Sequence, residues 1–348
     1  MDSITHLFLG GAIAAAIAPA KHRRAALLAG AALNTLPDLD SLFIALSTSD
    51  PVSLMTVHRS FSHSLFVLPI LGWLIWWLCR TRGKRVAESP VRWFWAIQLA
   101  LVTHPLLDAF TVYGTQLLWP MHTPPVMGSS LFIIDPMYTV WLLAGCVIAW
   151  LAREKLKAQR ALLAGLALST AYLGWSLVAK SRVDEQANRD LAAMGLQGAP
   201  RFSVPMPLNT LLWRVVAMTP DGYVIGDRSL VADRGAMDFK GYKSNVQALA
   251  EAKDIEAVQE LAWFNHGFMR AQVVGNELVL SDLRMGLEPD YNFSFAVAVR
   301  EDDQWRTIPP RQVQAAYRAP VARGGLKKAL LELWSRIWNQ PGATAAKS

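Results

Sequence analysis

Histidine and aspartate side chains recur within otherwise apolar stretches of the first 140 residues. Imidazole and carboxylate together suit Zn, Mn, Fe or Mg. A divalent ion held by such side chains lowers the pKa of a bound water towards 7 and makes it a nucleophile. The residue types therefore predict a metal centre with hydrolytic chemistry.

The spacing of these residues favours one shared site. His104 and Asp108 are four residues apart, as are Asp2 and His6. Side chains at this spacing lie on one face of a helix. We predict a divalent ion, with zinc favoured and Mn, Fe or Mg as alternatives, and six ligands: His6, Asp38, His58, His63, His104 and Asp108.

Two further side chains are predicted to act in catalysis. Asp40, with Asp38, flanks a turn after Pro37, and one of the two aspartates is the candidate general base. Arg59 is suited to hold an anionic group such as a phosphate. In an alternative arrangement His58, Asp40 and Asp2 orient the ligands or bind a second ion. An aspartate beside a proline is also commonly a cap or a turn residue.

These residues must be positioned by apolar helices. The chain of 348 residues is 53% hydrophobic, and its long apolar runs are concentrated in residues 7–179. Several runs are shorter than the roughly 20 residues of a simple membrane span. We predict about six helices, from the apolar runs at 6–20, 25–46, 62–79, 91–110, 136–151 and 161–179.

Clusters of Lys and Arg separate the first run from the second, the third from the fourth and the fifth from the sixth. Positively charged loops stay in the cytoplasm, so the intervening loops and the C-terminal part are predicted outside. The candidate ligands of the helices then lie roughly 18 to 25 Å from the nearest cytoplasmic basic residue, in the outer half of the bilayer. The alternative is a soluble protein with six buried helices.

The net charge of +7 does not indicate nucleic-acid binding, because no basic stripe interleaved with aromatic residues is present. The two cysteines, Cys79 and Cys146, lie in or beside apolar runs, so no disulfide framework is expected in the C-terminal part.

Residues 181–348 are predicted to form an extracytoplasmic α+β domain, after a transmembrane domain at 1–180. The domain is predicted to gate substrate access or simply to pack. We expect a helical neck at 182–200, strands at 211–218, 223–225, 272–280 and 293–299, a helix at 245–263, and an amphipathic stretch at 324–338 that docks on the domain or rests on the membrane.

Four segments in the first 140 residues together resemble a family of bacterial inner-membrane proteins that are described as metal-dependent hydrolases, some under LexA control. They are Thr5-His6, Leu36-Pro37-Asp38-Leu39-Asp40, His58-Arg59-Ser60-Phe61-Ser62-His63-Ser64 and Thr103-His104-Pro105-Leu106-Leu107-Asp108. Residues 208–227 and 282–286 resemble extended members with an added soluble domain. The resemblance implies a multi-pass inner-membrane location and metal-dependent hydrolysis, but no particular substrate.

We therefore expect a membrane-bound metal-dependent hydrolase whose substrate is a small molecule or lipid, such as a phosphoester at the outer bilayer face. The expected partners are membrane lipids and this substrate. Two alternatives stay open. Intramembrane carboxylates also serve ion binding or transport, and a non-catalytic membrane scaffold would act through the C-terminal domain.

Overall fold

The computed structural model describes residues 1–313, 328 and 330–340. The chain divides into two compact units. The first comprises Met1–Ser47 and Val57–Ser176. The second comprises Thr48–Thr56 and the described residues from Leu177 onward. The division at 176/177 is near the predicted boundary at 180, but the second unit also takes Thr48–Thr56, which the sequence analysis placed in the transmembrane domain.

The first unit is helical, and each predicted apolar run coincides with helix. The second run is broken, because Pro37 lacks a backbone N–H and opens a 3-10 turn, Pro37–Leu39. A second 3-10 turn is Phe61–His63. The α-helices up to residue 193 are α1 (Ser3–Ile17), α2 (Arg23–Thr35), α3 (Asp40–Ser47), α4 (Pro51–Val57), α5 (Val67–Arg82), α6 (Lys84–Glu88), α7 (Pro90–Asp108), α8 (Pro136–Ala152) and α9 (Leu156–Ala193).

The six predicted membrane spans are not confirmed. Within the described residues, α9 alone is a single helix long and apolar enough to cross a membrane. A second candidate is the bent pair formed by Pro51–His63 and Val67–Arg82, which meet at 54°. The helices α1 and α8 are apolar but have only 15 and 17 residues. The helical character of this half is thus confirmed, and its number of spans is not.

Two helix ends follow simple capping chemistry. Asp135 is the N-cap of α8, and its carboxylate accepts hydrogen bonds from the backbone N–H groups of Met137 and Tyr138 at 3.0 and 3.3 Å. Asp135 thus has the capping role that is common for an aspartate beside a proline. Asp2 likewise caps α1 by accepting from the Thr5 N–H at 3.0 Å. Asp2 is therefore a capping residue and does not join the metal centre.

The close approach of α1 and α2 determines where the site forms. A Cβ added to Gly30 would lie 2.1 Å from the carbonyl oxygen of Gly10, so only glycine permits this packing. The contact continues through the buried side chains of Ile13 and Leu27. It brings the N-terminal part of α1, which carries His6, against the C-terminal end of α2.

The second unit contains antiparallel sheets, and the short helices α10 (Val246–Glu251) and α11 (Glu256–Phe264) lie between its fourth and fifth strands. Its sheets have the strand orders β1-β2-β3-β4, β10-β9-β6-β5 and β7-β8. This agrees with the predicted α+β class. The strands are Arg201–Pro205, Leu212–Thr219, Gly222–Ser229, Phe239–Lys243, Met269–Val274, Glu277–Asp282, Gly286–Leu287, Asp290–Tyr291, Ser294–Glu301 and Gln304–Gln312, numbered β1 to β10.

Several details of this unit differ from the prediction. The run at 272–280 is not one strand but parts of two, β5 and β6, because the chain turns at Gly275, where φ is +64°. The helix predicted at 245–263 is divided into α10 and α11. The predicted neck is helical only as far as Ala193, the end of α9.

Part of the predicted amphipathic stretch, residues 324–327 and 329, lies outside the described residues. Residues 330–338 are helical. Ile337 is buried with Met206 and Leu212 of the same unit, whereas Trp334 is exposed. Docking on the domain is therefore observed for this part, but Trp334 does not share the packed face as predicted.

Candidate metal centre

Four of the six predicted ligands converge at one point of the first unit. Asp38 lies in the turn after α2 and His63 ends the second 3-10 turn. His104 and Asp108 lie in the last part of α7. One ligand atom from each side chain lies within 4.8 Å of all the others, so the group could hold a metal ion.

The imidazole nitrogens lie at the centre of this group. His63 Nε2 is 3.0 Å from His104 Nε2. Asp38 Oδ1 lies 3.6 Å from His63 Nε2 and 3.4 Å from His104 Nε2. Asp108 Oδ2 lies 3.4 and 3.5 Å from the same two nitrogens. Two nitrogens and two oxygens thus face a common point.

The group is open on one side only. The side chains of His63, His104 and Asp108 are completely buried, whereas that of Asp38 is 21% exposed. Water or a substrate would therefore approach from the side of Asp38.

The tautomer of His104 follows from the hydrogen bond of its Nδ1 atom. Nδ1 lies 2.5 Å from the backbone carbonyl oxygen of Asn34. A carbonyl oxygen only accepts hydrogen bonds, so Nδ1 must carry a proton. In neutral His104 the Nε2 lone pair then points into the group, as a metal ligand requires.

The tautomer of His63 follows from a chain of two hydrogen bonds. Ser62 Oγ donates to Asp40 Oδ2 at 2.5 Å. The hydroxyl has one hydrogen, so it accepts from His63 Nδ1, which lies 2.9 Å away. The Nε2 lone pair of neutral His63 therefore also points into the group.

This arrangement fits a cation. Two imidazole lone pairs would face each other at 3.0 Å and repel each other, unless a cation or an additional proton lies between them. Asp108 Oδ2 is buried without a hydrogen-bond partner among the described residues. Arg59 Nε is 3.1 Å from that oxygen, close enough for an ion pair but not aligned for a hydrogen bond. Burying a carboxylate oxygen without a hydrogen bond costs free energy, and a metal ion would provide the missing partner.

His6 lies beside the group without being part of it. Its Nε2 is 3.2 Å from Asp108 Oδ1, the oxygen that faces away from the other three ligands, and its ring stacks on His104 at 3.8 Å. The Met1 amine also contacts Asp108 Oδ1. His6, which was predicted to be a ligand, therefore contacts the ligand Asp108 and is not itself one of the four converging residues.

His58 and Asp40 form a separate pair. His58 Nδ1 is 2.8 Å from Asp40 Oδ1, and Asp40 Oδ2 also accepts from the Arg59 backbone N–H at 3.1 Å. With the Ser62 bond, both carboxylate oxygens are engaged by the protein. Asp40 thus has the contacts of a residue that orients His58 and His63, and His58 lies outside the group of four.

Arg59 is 5% exposed and bends the chain with a positive φ of 66°. In addition to the contact with Asp108, Arg59 Nη1 donates to Thr111 Oγ1 at 3.3 Å, and the guanidinium lies 4.9 Å from the ring centroid of Tyr113. The structure therefore places Arg59 behind Asp108 and not at an open anion-binding surface.

The sequence analysis missed two residues that orient the ligands, Asn34 and Ser62. Asn34 Oδ1 lies 3.1 Å from His6 Nδ1, and its backbone oxygen binds His104. A lone asparagine four residues before Asp38 in an apolar run was the available signal. Ser62, next to His63, had no comparable signal in the sequence.

One comparison with known proteins gives a match for the part of the chain that contains these side chains. Residues 1–183 match the family described as YdjM inner membrane protein, and the match includes all four converging side chains. No curated protein and no solved structure matches the chain. The match agrees with the inner-membrane family that the motifs resemble, and its description names no enzymatic activity. Because it extends over more than half of the 348 residues, the chain belongs to the YdjM inner membrane protein family.

Proposed function

We propose that this inner-membrane protein is a metal-dependent hydrolase whose ion is held by Asp38, His63, His104 and Asp108. The observation that carries the proposal is the convergence of two imidazole lone pairs and two carboxylate oxygens in a largely buried group. Each histidine is held in the required tautomer by an acceptor on its other nitrogen.

The donor set favours zinc over the harder ions. Two nitrogens and two oxygens suit zinc, and Mn or Fe are alternatives, whereas Mg prefers oxygen ligands. When bound, the ion would lower the pKa of water and polarise the bond to be cleaved. The partial exposure of Asp38 provides the access that water and substrate need.

Proton transfer is assigned to His58 in place of Asp40. Asp40 accepts from His58 Nδ1, so in the neutral ring the other nitrogen, Nε2, can take up a proton. The His58 side chain is 22% exposed, whereas that of Asp40 is 1% exposed. An aspartate that orients a histidine in this way also stabilises the protonated ring.

Arg59 is assigned to positioning Asp108. Its guanidinium forms the ion pair with the ligand oxygen Asp108 Oδ2 and is held by Thr111. A buried carboxylate beside a cation stays ionised, which a metal ligand must be.

The proposed substrate is a phosphoester or a lipid at the outer bilayer face, and hydrolysis itself is the property to test. Purified full-length protein should cleave at least one substrate class in a panel of phosphoesters, lipid esters and peptides. Chelation should abolish cleavage, and adding Zn, Mn, Fe or Mg should restore it. A protein that binds an ion and cleaves none of these classes would instead support ion binding or transport.

We further propose a multi-pass topology with the basic segments in the cytoplasm and the second unit outside. In a Cys79→Ser background, which removes the exposed cysteine, a Gly235→Cys variant should react with an impermeant thiol reagent in intact cells. A Lys84→Cys variant should react only after lysis. Both positions are exposed, so the opposite labelling pattern would overturn the orientation.

A further inference from the structure

The basic segments that separate the helices meet in one cavity of the first unit. The cavity has a volume of about 330 Å³ and is lined by five Lys and Arg side chains and one carboxylate, Glu154. It lies where α1 leads into α2, whereas the metal centre lies near the start of α1. The 11 residues from His6 to Ile17, the last residue of α1, correspond to about 16 Å of helix. The cavity is thus a second site. The five basic residues are Lys21, Arg23, Arg24, Arg85 and Arg153.

Only part of this positive charge is neutralised within the protein. Glu88 pairs with Lys21 at 2.5 Å and with His22 at 3.0 Å, and these hydrogen bonds lower the pKa of Glu88 to about 2. Arg23 is buried and donates to the backbone oxygen of Arg153 and to Gln159. These contacts explain the positions of Lys21 and Arg23.

The positive charges of the other three arginines are not neutralised in this way. Within the described part of the chain, Arg24, Arg85 and Arg153 form no ion pair with a carboxylate. Arg24 is nevertheless held in place, because its Nε donates to the Trp150 carbonyl at 2.9 Å and its guanidinium lies 4.8 Å from the Trp150 ring centroid. These three arginines outnumber the one carboxylate that lines the cavity, Glu154, and the excess positive charge attracts an anion.

An apolar groove adjoins the cavity. It has a volume of about 860 Å³, and Ala25 and Arg85 line both spaces. The groove runs between α2, α5 and α7 and is lined mainly by apolar side chains, among them Leu33, Ile75 and Ile97. An anionic head and an apolar tail would therefore find adjacent binding surfaces.

We propose that the cavity and the groove together bind one anionic phospholipid. Its phosphate lies near Arg24, Arg85 and Arg153, and an acyl chain lies in the groove. Basic pockets between membrane helices on the cytoplasmic side recognise anionic headgroups. A free phosphate would account for the cavity but not for the adjoining groove, and a neutral lipid would leave the three arginines unpaired.

The test uses full-length protein reconstituted in vesicles of phosphatidylcholine with a minor fraction of labelled phosphatidylglycerol. After extraction into detergent, wild-type protein should retain phosphatidylglycerol in preference to phosphatidylcholine. An Arg24→Gln, Arg85→Gln variant should lose about fivefold in affinity for each charge removed. An Arg24→Lys, Arg85→Lys variant should retain most of the binding, because the charge is kept.

The groove is tested separately by Ala32→Trp, which fills it and leaves the arginines intact. This variant should also lose phosphatidylglycerol, whereas Arg92→Gln and Ala164→Trp, at exposed positions that line neither space, should not. The proposal is overturned if phosphatidylcholine is retained equally, or if the glutamine variant binds like wild type. It is also overturned if Ala32→Trp has no effect, or if inorganic phosphate displaces the lipid at comparable concentration.

Discussion

Replacing His104 with alanine is expected to remove the bound ion and the hydrolytic activity together. His104 Nε2 is within 3.5 Å of the facing atoms of all three other ligands. Loss of a residue that only orients a ligand commonly lowers metal affinity by 10- to 100-fold, so loss of the ligand itself should exceed about 100-fold. Metal content and initial rates of the purified variant are the measurements.

The control for this variant is His122→Ala, which removes an exposed histidine outside the group of four. It should keep both the ion and the activity. The amount of each protein in the membrane fraction shows whether the chain is still inserted. If His104→Ala keeps its ion at wild-type affinity, His104 is not a ligand.

Replacing His58 with glutamine is expected to have the second large effect, but of a different kind. Activity should fall by about 10²- to 10⁴-fold, which is the usual contribution of a general acid or base. The ion should be retained, because His58 lies outside the group of four. Rates as a function of pH, measured beside metal content, distinguish this role from a structural one.

The pH–rate profile of the His58→Gln variant should differ from that of the wild-type protein, because the side chain that accepts the proton is absent. His22→Gln, a histidine in the basic cavity, is the matched control. If the His58→Gln variant keeps the wild-type rate and pH–rate profile, proton transfer is carried out by Asp38 or Asp40 and not by His58.

Residue type was enough to include the group of four among the six predicted ligands. Asp38, His63, His104 and Asp108 are costly within an apolar helical domain, so each is conspicuous in the sequence. Which histidines are ligands could not be predicted. His58 and His63 belong to one short segment, and Arg59, in a positive-φ conformation, lies between them. The direction of each ring depends on the hydrogen bonds to Asp40 and Ser62, which are tertiary contacts.

Prediction of the fold was limited in a similar way. Apolar runs predicted helices correctly, because burial of apolar side chains and intrahelical hydrogen bonding act together there. Their ends depended on single residues such as Pro37. In the second unit, the 272–280 run was apolar enough for one strand, but Gly275 turns it into a hairpin. The strand β4, with no alternation of buried and exposed residues, had no pattern to detect.

The central claim is that the four converging side chains hold a divalent ion. The most direct test is the metal content of full-length protein purified from membranes, followed by X-ray absorption of the loaded protein. The account predicts one ion per chain, with nitrogen and oxygen ligands at about 2.0–2.2 Å if the ion is zinc. It also predicts that a His63→Ala, His104→Ala variant takes up none. A folded wild-type protein that binds no ion after incubation with Zn, Mn, Fe or Mg would contradict it.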